Sequence, residues 1–197
     1  MSQTGSEVDG AVLQAVVDGI DEACGHFSDR AKRLLADHDL PAEPESGQSY
    51  PLEAFLDLLE TIEHTTGPHT LARIGEAVPG LLTWPRSVTT TSEALGALDR
   101  VLSDHHSDLP GSVTFERIDG GTGRIRSTTP YPAAFERGLF EGIGERFPSG
   151  SGFVWIEQTH RRNGVREYRL SWAADCSPRA LSVSDGDQTG PSPVSGD

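Results

Sequence analysis

The segment from Phe153 to Trp172 constrains the fold most. Two runs of alternating residues flank Asn163-Gly164, and this pair tolerates positive φ at both central positions of a tight hairpin turn. With a type I′ turn there, Arg162 faces Val165, and the ladder pairs His160 with Glu167, Gln158 with Arg169 and Trp155 with Trp172. Side chains alternate along a strand, so Phe153, Trp155, Tyr168, Leu170 and Trp172 share one face. Glu157 falls opposite Leu170 on that face, and Thr159 opposite Tyr168. A carboxylate among aromatic rings either finds a cation or a donor, or is driven toward its neutral form by desolvation. Glu157 is therefore a candidate binding residue. The alternative is that it lies near the sheet edge and reaches water or an arginine.

A second hairpin is predicted upstream. A three-residue loop at Asp119-Gly120-Gly121 sets Phe115 opposite Ile125 and Glu116 opposite Arg124, whereas a two-residue loop would set Phe115 opposite Arg126. Hydrophobic matching selects the longer loop. Thr129-Pro130-Tyr131-Pro132 stops the strand, and Pro132 suits the start of a helix with the stripe Phe135, Leu139, Ile143 and Phe147. Gly138 and Gly142, one turn apart, are costly in a helix interior and imply close approach of another backbone. The charges of Glu136, Arg137, Glu141 and Glu145 exclude a membrane reading of that glycine pair.

Helices precede the strands. Apolar residues between Asp9 and Asp39 keep helical spacing, weakened at Gly19 and Gly25. Phe55, Leu58, Leu59 and Ile62 form a stripe behind Ser49-Tyr50-Pro51. Leu71, Ile74, Val78 and Leu81 form another, which Pro79 should kink or end. Thr90 and Glu93 make a capping box for a helix ending near His105-His106. The fold class expected is α+β: N-terminal helices, then an antiparallel sheet of two β-hairpins with an intervening helix packed on it. Composition divides the chain into a disordered start at 1–8, a helical segment at 9–40, a linker at 41–48, an α+β unit at 49–172 and a disordered acidic tail at 173–197.

Charge narrows the surroundings. A net charge of −14 with a single lysine, Lys32, in 197 residues suits a halophile, where concentrated salt screens self-repulsion and carboxylates keep the surface hydrated. Residues 112–172 depart from this, with nine arginines against seven carboxylates. An anion-receiving patch and ordinary exposed arginines are both open readings of that excess. No apolar run is long enough to span a bilayer and the start lacks a secretory signal, so a cytoplasmic location is expected, without a membrane. Nucleic acid is not expected as a partner against this net charge.

Catalytic and metal signatures are missing. There is no G-x-S-x-G elbow, H-E-x-x-H, P-loop or dinucleotide fingerprint. His160 and Glu167, paired across the hairpin, supply only two of the ligands that a metal site needs, and a cross-strand polar pair is the simpler role. Cys24 and Cys176 lack metal-ligand spacing. No catalytic residue, metal or cofactor is assigned.

Residues 50–172 nevertheless carry a pattern: Pro130-Tyr131-Pro132 leads into Phe135-Glu136-Arg137-Gly138-Leu139 with Gly142, and Glu157 precedes a turn and a Trp-ended strand. This resembles the 4-vinyl reductase-type domain, a small-ligand-binding family related in fold to heme nitric-oxide-binding domains and transport-protein-particle subunits. It departs from that family at Ala133, His160 and Glu167, where cysteines are often found, and it lacks the Tyr-x-Ser-x-Arg element of heme sensors. The resemblance implies a sensory or regulatory domain that binds a small, largely apolar molecule without catalysis, with Phe135, Leu139, Trp155, Glu157, Tyr168 and Trp172 as ligand-binding residues. The alternative it implies is an interaction subunit that forms a homodimer, or docks on a protein partner, through its sheet or the Phe135 helix.

Overall fold

The computed structural model describes residues 5–24, 28–148 and 154–172. Phe153 and Cys176 lie outside these. The described chain is α+β, as the periodicities require. In order it runs β1 (Glu7–Asp9), α1 (Gly10–Cys24), α2 (Ser28–Asp37), β2 (Ser49–Pro51), α3 (Leu52–Thr66), α4 (Pro68–Leu81), α5 (Thr91–Asp104), β3 (His106–Ser107), β4 (Val113–Arg117), β5 (Thr122–Ser127), α6 (Ala133–Arg146), β6 (Val154–Arg162) and β7 (Val165–Trp172). A small sheet has the order β2-β1-β3 and a larger antiparallel one the order β4-β5-β7-β6. Among the described residues no helix is long and apolar enough to cross a membrane.

Residues 7 and 8, expected to be disordered, instead pair as β1 with Ser49–Pro51 and His106–Ser107. Val8 is fully buried there, which offsets the entropy of ordering the segment. Asp9 caps the following helix: its carboxylate accepts from the Ala11 and Gly47 amides at 2.7 and 3.1 Å. The capping box at Thr90 and Glu93 forms as expected. Helix α4 runs two residues past Pro79 before it ends.

The helices stack on the sheet. Helix α1 packs on α4, α4 on α6, and α6 on the β6–β7 hairpin. Sandwiched between α4 and the sheet, α6 buries Phe135, Glu136, Gly138, Leu139, Phe140, Gly142, Ile143 and Gly144 and keeps only a narrow polar edge, where Arg137, Glu145 and Arg146 are exposed. The glycines make this possible. A Cβ on Gly138 would overlap the Ala72 carbonyl, and one on Gly142 the Glu76 carbonyl, so the two backbones touch where side chains would hold them apart.

The first hairpin has the expected register, Phe115 opposite Ile125 and Glu116 opposite Arg124. The second departs from it. Its turn is as expected, with Asn163 at φ 51° and Gly164 at φ 79°, and Arg162 faces Val165 and His160 faces Glu167. A bulge between Gln158 and His160 then shifts the ladder, pairing Glu157 with Arg169, Ile156 with Leu170 and Trp155 with Ser171. One residue of slip exchanges the faces of a strand. Ile156 turns inward at 8% exposure and Trp155 outward at 75%. The shared face expected for Trp155 and Glu157 with Tyr168, Leu170 and Trp172 is thus corrected: Glu157 is exposed, across from Arg169. The bulge keeps an ionised carboxylate out of an apolar layer, where it would be costly without a partner.

Two glycines of the helical stack test this packing. Gly138→Ala should cost about 3 kcal/mol through overpacking against α4, whereas Gly80→Ala, with open space around it, should be neutral or gain up to about 1 kcal/mol of helix propensity. Chemical denaturation of both variants measures the difference.

Candidate functional site

The densest polar chemistry among the described residues gathers on a carboxylate that the sequence reading weighed only against a membrane helix. Glu136, in the first turn of α6, is 1% exposed. Its Oε1 accepts from the Ser127 hydroxyl, from the Thr129 hydroxyl at 2.6 Å and from Arg166 Nη2 at 2.8 Å. Its Oε2 accepts from Arg166 Nε at 2.7 Å and the Tyr168 hydroxyl at 2.6 Å. Arg166 Nη2 also donates to the Thr129 carbonyl at 2.6 Å. Burial alone would lower the Arg166 pKa, but the hydrogen bonds and charge of Glu136 outweigh it and raise it. Burial and then the Glu136 charge push the Tyr168 phenol well above its ordinary range. The cluster thus gathers a guanidinium, a neutral phenol and two hydroxyls around one carboxyl group.

This cluster lies behind a cleft of about 520 Å³ between α4, α6 and the β6–β7 hairpin. Ala72, Ala133, Ala134, Ile156 and the Tyr168 ring give the cleft an apolar floor; Glu63, His69, Arg73, Glu76, Arg137 and Glu141 give it a charged rim. Both rim arginines are engaged: Arg73 lies 3.1 Å from Glu76, and Arg137 2.9 Å from Glu141. Glu76 has its carboxyl raised above the usual range, first by burial and then by the Glu145 charge, against the opposing pull of Arg73.

The six sequence-predicted binding residues separate. Tyr168 lines the cleft. Phe135, Leu139 and Trp172 are core residues: the Phe135 ring packs edge-on to Phe55 at 6.4 Å, and the Trp172 ring tilts against Phe115 at 6.1 Å. Trp155 and Glu157 face away from the buried side of the sheet. Glu136, Arg166, Ser127 and Thr129 were missed, although one signal was readable. Arg166 continues the period-two face of Tyr168, Leu170 and Trp172 inward, and a buried arginine demands a buried acid. The Phe135 stripe of α6 is covered by α4 and the sheet, while Arg137, Glu145 and Arg146 leave the polar edge of that helix exposed. Glu167 accepts from Arg126 Nε at 3.1 Å and lies 3.4 Å from Arg124 Nε, and no group of three metal-ligating side chains occurs among the described residues.

Neither a family model nor a curated protein matches this chain. Solved structures do. An oxygen-binding H-NOX domain related to soluble guanylate cyclases, in its oxygen complex, superposes with a TM-score of 0.62 at 10% identity over 84% of this chain and 95% of that one. An H-NOX protein from S. oneidensis in the Fe(II)NO ligation state gives 0.63 at 13% identity over 83% and 98%. The chain has the H-NOX fold. At these identities the likeness extends to the fold alone, so whether a heme fits rests on the residues present.

A heme needs an apolar slot, an axial ligand and donors for its carboxylates. Among the described residues these are not provided together. The His106 Nδ1–H donates to the Leu102 carbonyl at 2.6 Å, which leaves Nε2 to accept from the Tyr131 hydroxyl, so both ring nitrogens are engaged. His69 stands on the exposed rim of a charge-walled cleft. The buried donors Ser127, Thr129, Arg166 and Tyr168 are all taken by Glu136. The described residues of this H-NOX fold do not fit a heme.

Two outcomes check this chemistry. Glu136→Gln should destabilise by about 3–5 kcal/mol in chemical denaturation, because Arg166 keeps its charge in a buried site, and adding Arg166→Met should recover part of the loss. Burial lowers the His106 pKa below 6.5, so the unfolded chain binds its proton more readily. The stability from neutral His106 is full above pH 6.5 and falls as pH drops through the lower folded value. His106→Gln should therefore flatten the stability profile between pH 7 and about pH 5.

Proposed function

We propose that this chain is a sensory or regulatory domain that holds a small, largely apolar molecule in the cleft between α4, α6 and the β6–β7 hairpin, acting by binding and not by chemistry. The observation that carries this reading is the cleft itself. It has a built apolar floor, about 520 Å³ of space, and a rigid back wall locked by the Glu136–Arg166 cluster. A volume in this range and an apolar surface with a few convergent polar groups are what small-ligand sites share. The H-NOX structures in an oxygen complex and an Fe(II)NO ligation state add that this fold elsewhere houses ligands. The tie to 4-vinyl reductase-type domains belongs to the same proposal and rests on the Pro130-Tyr131-Pro132 and Phe135–Gly142 pattern. So do a cytoplasmic location and a salt-rich cell, which rest on charge and composition.

Docking on a second protein through the sheet is the second reading. It is favoured by Trp155, three-quarters exposed on the edge strand β6.

The neutral fluorophore N-phenyl-1-naphthylamine tests the first reading. The expected result is saturable, one-to-one fluorescence enhancement, lost when Ala134→Trp fills the cleft while the far-ultraviolet dichroism stays unchanged. Enhancement that survives Ala134→Trp, or none in the unsubstituted chain, would count against the cleft. A protein-docking role would be untouched by that substitution.

A further inference from the structure

Which ligands the cleft accepts follows from which of its charges are already spent. This inference rests on the cleft being the binding site. Arg166, the one cation behind the floor, is held by both Glu136 oxygens, and the hydroxyls beside it donate to the same carboxylate. These donors are spent on Glu136 and are not offered to an incoming anion. On the rim, Arg73 and Arg137 sit against Glu76 and Glu141. Four carboxylates, Glu63, Glu76, Glu141 and Glu145, thus gather on or beside the mouth with two arginines. Glu63 lines the cleft without a cationic partner among the described residues.

We infer that the cleft selects an amphiphile whose body is apolar and whose head is a cation, such as a primary or quaternary amine, over an equal-sized acid. The body would lie on Ala134, Ile156 and the Tyr168 ring, and the head would reach the Glu63 side of the rim. Burial is the first cause of the raised Glu76 carboxyl, and the neighbouring Glu145 charge adds to it; that second contribution is the one that favours an ammonium over one more carboxylate.

Displacement of the bound fluorophore by hexylamine, hexanol and hexanoate, which share one apolar body, tests the selectivity. The amine should displace it at about two- to fivefold lower concentration than the alcohol, the range of one partly exposed ion pair, and the acid should be the weakest. Glu63→Gln should reduce the amine's advantage and leave hexanol unchanged, and molar salt should shrink the advantage as screening requires. Hexanoate equal to hexylamine would overturn the inference while leaving the cleft as a binding site. An amine preference that Glu63→Gln does not alter would overturn the assignment of the head group to Glu63. Binding of none of the three, measured directly by calorimetry, would remove the cleft reading and this inference together.

Discussion

Five hydrogen bonds into the Glu136 carboxylate join α6 to both central strands of the larger sheet, and the rest of the fold is arranged around keeping them dry. Arg166 and Tyr168 come from β7, Ser127 from the end of β5 and Thr129 from the segment that follows it. A buried ion pair is worth little as net stability, since desolvation of both charges cancels most of the attraction. Its effect is specificity: Glu136 has one place to go, and any rotation or sliding of α6 strands a guanidinium in the core. Such a partner fixes the register of a helix that has little else to fix it, because α6 is buried on nearly every side and carries three glycines, Gly138, Gly142 and Gly144.

Gly138 and Gly142 complete the arrangement. They let α6 meet α4 backbone to backbone, which draws α4 over the sheet and leaves the groove along its N-terminal half as the cleft. The apolar floor and the locked back wall therefore share a cause. The position of α6 is set on one side by glycine contacts and on the other by a carboxylate, and the cleft is the space that remains.

Much of this was legible in the sequence, and the limits are physical. The capping box at Thr90, the three-residue loop at Asp119, the turn at Asn163-Gly164 and the close approach at Gly138 each depend on local rules that a few residues carry. The bulge near Thr159 does not. Alternation along β6 supports two registers equally well until the cost of burying Glu157 is weighed against that of exposing Trp155, and the structure exposes Trp155. Glu136 was hidden for a related reason. On a helix, a charge flanking an apolar stripe reads as solvent-facing, and only the sheet on the opposite side, with Arg166 at an inward position, turns it into the interior. Non-local partners decide both cases, so neither local pattern could reveal them.

The contrast with the H-NOX structures follows from the same cluster. A fold shared at a TM-score of about 0.6 and little more than one residue in ten preserves how helices lie on a sheet, not what the layers enclose. In this chain the hydroxyls of Ser127, Thr129 and Tyr168 and the Nε and Nη2 groups of Arg166 are spent on Glu136, so these groups are not free for a cofactor or an anion. In the proposed binding mode, recognition falls on the outer side of the same wall. There Tyr168 commits its hydroxyl to Glu136, so the charged groups that line the cleft come from α3, α4 and α6. Helical carboxylates, and not the arginine-rich strands, then set the sign of the charge that a ligand meets.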